Sequence, residues 1–353
     1  MAKINAHSLT DTYTLTNGVK IPVIGFGTWQ SSPEDAYNSV KWALEAGYRH
    51  IDTAATYENE EAVGRAIRDA GVPRKELFVT TKLWNEQRNS YDDVLHAFRD
   101  SLTRLGLDYI DLYLIHWPEP AAHHQDWQHL NAETWRAMEH IYHLGKARAI
   151  GVSNFLAHHL DELAKTQKTP PMVNQIFLNP HSPQPDMVAY NAAHDMLSEA
   201  YSPLGTGELL KNETIGAIAQ KHGKSPAQVL VRWSLEQGFL PLPKSVHQNY
   251  LQANADVFDF ESDEDDTPKI GGLAGQCRQR QGPTTFDCRK QIPVLRVEPL
   301  KKPDGTRSCV CRQALLILLS DAGFDICQSR PPVGLPGIGN CQMLPGQKYS
   351  SMA

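Results

Sequence analysis

The sequence predicts a closed (β/α)8 barrel of the TIM type, with an N-terminal β-hairpin across its bottom. Three observations carry this. Eight short apolar runs recur between residues 23 and 243, and stretches with helical start and stop signals separate them. The first run also leads through Gly25-Phe26-Gly27-Thr28-Trp29-Gln30, which lacks the third glycine of a dinucleotide-binding turn. Buried strands alternating with helices imply right-handed βα units and a parallel sheet. Eight such units fit a closed cylinder better than an open doubly wound sheet.

The elements follow in chain order. Asn17-Gly18, between the β-prone runs 13–16 and 19–22, predicts a hairpin with a two-residue type I′ turn, in which both turn residues need φ > 0. The barrel strands are expected at 23–28, 48–52, 77–82, 110–116, 147–153, 172–177, 197–202 and 239–243. Ser32-Pro33 opens a helix as N-cap and N1 residue, and Gly47 ends it. A second helix runs over 60–70 and stops at Gly71. A third, over 91–105, aligns Val94, Phe98, Leu102 and Leu105 on one face and stops at Gly106. Ser225-Pro226 opens a fourth, over 227–237, which ends at Gly238. The acidic run 261–266 reads as a solvated helix start.

Composition excludes several classes. Hydrophobic residues make up 41% of the 353, enough for a substantial core, and the net charge of −6 argues against nucleic-acid binding. No apolar run approaches a membrane span, 314–319 being the best candidate, and the N-terminus has no apolar signal segment. A cytoplasmic location is the default expectation. All six cysteines (Cys277, Cys288, Cys309, Cys311, Cys327, Cys341) lie in the last quarter without zinc spacing or a framework that would staple the body. We therefore expect a barrel over 1–287 and an extension over 288–353, rich in Pro, Gly, Gln, Arg and Cys, that is largely disordered and contains no recognised domain.

Reactive groups of such barrels sit at the C-terminal ends of the strands. Asp52, Lys82 and His116 close the second, third and fourth predicted strands, and Tyr57 follows in the loop after Asp52. Singly, these could be a cap, a snorkelling lysine and a core histidine; their placement on consecutive strand ends argues for a shared site. Trp29, Trp84 and Trp117 sit at or just past strand ends and would line an aromatic pocket. His123, His124 and His129 lie in a polar loop and read as solvated, so no metal site is expected.

The phrases His50-Ile51-Asp52-Thr53-Ala54-Ala55-Thr56-Tyr57, Thr80-Thr81-Lys82-Leu83-Trp84 and Leu114-Ile115-His116-Trp117-Pro118 resemble the aldo-keto reductase superfamily. So do Gly25-Phe26-Gly27-Thr28-Trp29, Gly151-Val152-Ser153-Asn154-Phe155, Asn174-Gln175, Tyr201-Ser202-Pro203-Leu204-Gly205 and Pro243-Lys244-Ser245. The likeness runs in order from about 12 to about 287. Short loops and the phrase Gly223-Lys224-Ser225-Pro226-Ala227-Gln228-Val229 are closest to microbial members of the 2,5-diketo-D-gluconate reductase type.

The resemblance implies a catalytic tetrad of Asp52, Tyr57, Lys82 and His116, and an NADPH-dependent reduction of small aldehydes, ketones or diketo sugar acids. Hydride would reach the carbonyl carbon while Tyr57 protonates the oxygen. A free phenol titrates near ~10, and an ammonium about 4 Å away could bring it toward neutrality. Lys82 would be that ammonium, oriented by Asp52, while His116 would also touch the substrate. Implied cofactor contacts are Thr28, Ser153, Asn154, Gln175, Tyr201, Ser202, Leu204, Gly205, Lys244, Ser245, Tyr250 and Asn254. Tyr201 would stack on the nicotinamide, and Lys244 would hold the 2′-phosphate.

Two departures bear on the site. Tyr250 stands where the family usually has the phosphate-gripping arginine, with Ala253 in place of a glutamate, so NADPH is expected with NADH possible. Phe177 and Asn179 replace a usual Glu and His at positions read as packing. A monomer acting on a small carbonyl substrate is expected. The competing reading is a non-enzymatic barrel that binds nicotinamide and reports redox state.

Overall fold

A computed structural model of the chain describes residues 6–275. The expected boundary at 287, the extension 288–353, the six cysteines and the apolar run 314–319 lie outside the described residues. The hairpin strands are β1 (Thr12–Thr14) and β2 (Lys20–Pro22). The barrel strands are β3 (Phe26–Gly27), β4 (His50–Asp52), β5 (Phe78–Leu83), β6 (Ile110–Ile115), β7 (Ala147–Ser153), β8 (Val173–Phe177), β9 (Leu197–Tyr201) and β10 (Leu240–Leu242). Helices α1 (Pro33–Glu45), α2 (Glu60–Asp69), α3 (Tyr91–Leu105), α4 (Trp127–His143), α5 (Ala157–Leu163) and α6 (Pro185–Ala193) alternate with them. Two helices, α7 (Glu213–His222) and α8 (Pro226–Glu236), separate β9 from β10, and α9 (Gln248–Ala255) and α10 (Asp266–Gly271) follow.

The eight strands pair in parallel and in sequence order from β3 to β10. The cylinder closes where Gly25 N–H donates to Pro241 O and Gly27 N–H to Pro243 O, both at 3.1 Å. Prolines have no N–H, so this seam is bonded in one direction only. Every residue of β5 and β6 is buried, because one face lines the barrel interior and the other lies under helices. Gly64 lets α2 pass close to α3: a Cβ there would stand 2.1 Å from the Leu105 carbonyl oxygen.

The helix signals act as expected. Ser32 Oγ accepts from Asp35 N–H, Ser225 forms a reciprocal capping box with Gln228, and Gly106 ends α3 at φ +64°. Two local expectations need correction. The hairpin pairs Leu15 with Val19, leaving a three-residue loop in which Gly18 alone has positive φ (+83°). Gly18 N–H donates to Leu15 O, so the turn is a type I turn followed by a left-handed glycine. Asn17 keeps a turn role with negative φ, its Oδ1 accepting from Val19 N–H (3.1 Å), while its Nδ2 donates to Arg148 O (2.9 Å). With Tyr13 Oη donating to Phe239 O, this bond seats the hairpin under the N-terminal ends of β7 and β10. The acidic run is only partly solvated: Asp266 is fully buried and bonds His222 and Lys221 of α7.

Candidate active site

The inward positions of neighbouring strands stack in layers, and here the layers are polar. Lys82, the penultimate residue of β5, is completely buried. Its ammonium donates to Asp52 Oδ1 (2.6 Å), Thr53 O (2.9 Å) and Tyr57 Oη (3.3 Å). Asp52 ends β4; its carbonyl is fixed by the amide and hydroxyl of Thr28, both at 3.0 Å. Tyr57 closes a 3-10 turn, Ala55–Tyr57, after which Glu58 takes a left-handed φ of 56°. Asn59 anchors that turn, donating to Thr28 O and Ser31 O while accepting from Thr53 Oγ1. His116 follows β6, with its amide bonded to Leu83 O. Its ring packs edge-on to Tyr57 (centroids 5.7 Å) and Trp84 (5.1 Å). The four side chains expected to act together are thus gathered at one mouth of the barrel.

Burial dominates the electrostatics. It pushes the His116 pKa well below the ordinary imidazole value, with the Lys82 charge assisting, so the ring is neutral. It raises the Tyr57 phenol above its usual value, against the opposing pull of Lys82. This corrects the expected lowering: burial, joined by the negative charge of Asp52, outweighs the pull of the ammonium. Tyr57 therefore rests as a phenol, and Lys82 acts on the phenolate only as it forms. Lys82 is held above the ordinary lysine range; burial is the largest influence and opposes this, but Asp52 and Tyr57 outweigh it.

The residues expected to face a nicotinamide form a bonded set. Ser153 Oγ donates to Gln175 O (2.9 Å), and Asn154 Nδ2 donates to His116 O and Ser153 Oγ, both at 3.0 Å. Tyr201 Oη donates to Asn154 Oδ1 (2.8 Å), and its ring packs against Phe177. Gln175 Nε2 is divided between Asp52 Oδ2 (2.9 Å) and Glu199 Oε2 (2.7 Å). With these hydrogens engaged, Ser153, Asn154 and Gln175 offer lone pairs, which suit an amide NH2.

Beyond β9 the chain turns sharply. Ser202, Gly205, Thr206 and Gly207 have φ of 51°, 59°, 55° and 91°. Two of the four are not glycine, a strain of about 1–2 kcal/mol each that concentrates at functional loops. The amides of Gly205, Gly207 and Glu208 donate within the loop, to Ser202 O, Leu204 O and Gly205 O (3.0, 3.0 and 3.2 Å), closing it into successive tight turns. Asn179, fully buried, steadies this loop by donating to Ser202 O (3.2 Å). Leu204 is half-buried within it. Lys244, just past β10, is half-buried, and no ion-pair partner stands against its ammonium among the described residues. Burial lowers its pKa, with Asp35 opposing. Ser245 Oγ accepts from His247 N–H and shapes the turn into α9, Asn254 is buried in that helix, and Tyr250 is 63% exposed. A partly buried cation at the C-terminal end of the last barrel strand, without an ion-pair partner among the described residues, suits a phosphate of a dinucleotide.

Trp29, Trp84 and Trp117 are half-buried around the mouth. The sequence reading missed Arg88, which is 1% exposed and donates to Trp117 O, Pro118 O, Asn131 Oδ1 and Thr134 Oγ1. Burial pushes its pKa down to about 9. It also missed Glu199, although an acid two residues before Tyr201 shares that residue's inward face by strand period. Glu119, His158 and His159 gather possible ligand atoms within 4.8 Å. His159 Nδ1, however, accepts from Leu156 N–H, so the neutral ring carries its proton on Nε2 and cannot use that atom as a ligand.

The model described as Aldo/keto reductase family matches residues 23–274. The chain is 48% identical over 267 residues to "Glyoxal reductase" of Bacillus subtilis (strain 168), covering 75% of this chain and 94% of that protein. A crystal structure of an aldo-keto reductase enzyme from a Medee basin deep-sea metagenome library is 44% identical, with TM-score 0.74, over 78% of this chain and all of that one. The Bombyx mori aldo-keto reductase, solved in complex with NADP, is 37% identical, with TM-score 0.70, over 79% of this chain and 96% of that one.

Proposed function

The chain belongs to the aldo/keto reductase family and is an NAD(P)H-dependent oxidoreductase acting on carbonyl groups, and on that premise we propose that it reduces small aldehydes and ketones, including dicarbonyls and diketo sugar acids, with Tyr57 as the general acid. NADPH is the cofactor, and when bound it supplies the hydride that reaches the carbonyl carbon.

The chain's own residues manage the proton and the charge. Tyr57 Oη delivers its proton to the carbonyl oxygen as negative charge develops there. The Lys82 ammonium, 3.3 Å away, then stabilises the phenolate by about 5 kcal/mol at an effective dielectric of ~20, before Asp52 is counted. Asp52 keeps Lys82 charged and aimed. Neutral His116 has one N–H to offer the substrate oxygen, which orients it without competing as an acid. Trp29, Trp84 and Trp117 suit a compact, apolar-walled substrate and keep bulk water from the reacting oxygen. Lys244 would neutralise the 2′-phosphate, and Tyr201, pinned through Asn154, would present a flat ring to the nicotinamide.

The observation that supports this most is the position of one buried ammonium within hydrogen-bond reach of both a carboxylate and a phenol. A reductase assay on the full chain tests it, following loss of NADPH absorbance with glyoxal, a simple aldehyde, a ketone and a diketo acid. Turnover of small dicarbonyls and aldehydes is expected. Tight NADPH binding without turnover of any carbonyl would overturn the reading in favour of a nicotinamide sensor.

A further inference from the structure

Beneath the Lys82–Asp52 pair lies a second carboxyl that the mechanism does not use. Glu199 is completely buried in β9, where it pairs in register with Gln175 of β8. Its Oε2 accepts from Gln175 Nε2 (2.7 Å), the same nitrogen that donates to Asp52 Oδ2 (2.9 Å). Its Oε1 has no hydrogen-bond partner and stands 3.7 Å from His50 Nε2, too far for a bond. Among the described residues, the Gln175 amide is thus the only hydrogen-bonded bridge between the two acids.

Charge counting decides the state of Glu199. The groups facing it are His50 and Asp52 from β4, Lys82 from β5 and Tyr57 from the turn after β4. Lys82 is the one cation among them, and Asp52 already neutralises it at 2.6 Å. An ionised Glu199 would leave an uncompensated negative charge in a sealed interior, which is strongly unfavourable. Accordingly, burial and the Asp52 charge push the Glu199 pKa up to about 8, and burial pushes His50 down to about 3.

We propose that Glu199, as a neutral carboxylic acid, is a positioning residue of the reducing site: it fixes Gln175, thereby aims Asp52 at Lys82, and keeps a second negative charge away from Tyr57. This rests on the reading of Tyr57 as the acid and Lys82 as its stabiliser. Ionising Glu199 would make the Tyr57 phenol a poorer proton donor, since a nearby negative charge opposes phenolate. Reduction therefore slows as pH rises through the Glu199 titration.

The test compares the full-chain enzyme with Glu199→Gln, an isostere that keeps an acceptor for Gln175 and cannot ionise. Two readouts are needed. The first is kcat for NADPH-dependent reduction of glyoxal from pH 6 to 10. The second is the infrared difference spectrum between the two proteins, which detects a protonated carboxyl without requiring turnover. The expected result is a fall of about fivefold to tenfold in wild-type kcat centred near pH 8. That step should be missing from the Glu199→Gln profile, and a protonated-carboxyl band should be lost over the same range. An ionised Glu199 at pH 7, or a Glu199→Gln profile that keeps the step, would overturn the proposal. If wild type consumes no NADPH with any carbonyl while the band titrates near pH 8, the reading of Tyr57 as acid fails, and the neutral state of Glu199 stands.

Discussion

Replacing Lys82 with methionine keeps most of the side-chain volume and deletes one charge with three hydrogen bonds. The phenolate of Tyr57 loses a cation at 3.3 Å, about 5 kcal/mol at an effective dielectric of ~20. Asp52, at 2.6 Å from that cation, cancels part of this, leaving about 3–4 kcal/mol, or roughly 10²–10³-fold in kcat. The same change leaves Asp52 buried with Gln175 as its remaining partner, and breaking a buried pair in this way costs about 3–5 kcal/mol of stability. The double variant Asp52→Asn/Lys82→Met separates these effects because it removes both buried charges. Melting curves, with kcat measured at saturating NADPH and glyoxal, should show stability partly restored in the double variant and kcat no better than in the single one. The reasoning fails if folded Lys82→Met keeps kcat within threefold of wild type, or if rate returns together with stability.

Other consequences can be measured separately. Lys244→Ala should weaken NADPH by about 10–100-fold, the worth of a charge-assisted phosphate contact, and leave NADH nearly unchanged in a fluorescence titration. Tyr250→Arg should strengthen NADPH, because a guanidinium can grip phosphate where a phenol cannot. Gly64→Ala should cost about 2 kcal/mol or more in denaturant unfolding, since the added methyl meets backbone at 2.1 Å and cannot be relieved by a rotamer change. Glu199 also predicts a pH-dependent stability. Its folded pKa, about 8, lies above the ordinary glutamate value of 4.5, so its stabilising contribution is complete below 4.5 and is lost as pH rises to 8. Wild type should therefore lose about 1 kcal/mol per pH unit relative to Glu199→Gln across that window, read from paired melts.

Strand-end chemistry was legible in the sequence because a barrel places successive strand ends at one mouth, so Asp52, Lys82 and His116 converge without any knowledge of loop paths. The strands themselves were legible as apolar runs bounded by glycine and proline. What escaped depended on partners distant in sequence. Asn17-Gly18 has the local signature of a two-residue turn, but the Asn17 amide is claimed by Arg148, and the strand register leaves three residues in the loop. Asp266 sits in an acidic run that reads as solvated, yet its partners Lys221 and His222 arrive from α7, more than 40 residues earlier. A lowered Tyr57 pKa follows from the phenol and the ammonium taken alone; the burial and the competing carboxylate that reverse it exist only in the folded site. Glu199 was overlooked because one acid within a short apolar strand acquires meaning only when the Gln175 amide stands between it and Asp52.

The most direct test of the central claim is a single-turnover experiment on Tyr57→Phe with NADPH and glyoxal. NADPH affinity should stay within a few fold of wild type, because the hydroxyl lies on the Lys82 side of the site and does not define the phosphate loop. The rate of NADPH oxidation should fall by about 10²–10⁴-fold, the range for loss of a positioned general acid. A Tyr57→Phe enzyme that oxidises bound NADPH at the wild-type rate would show that the proton comes from elsewhere.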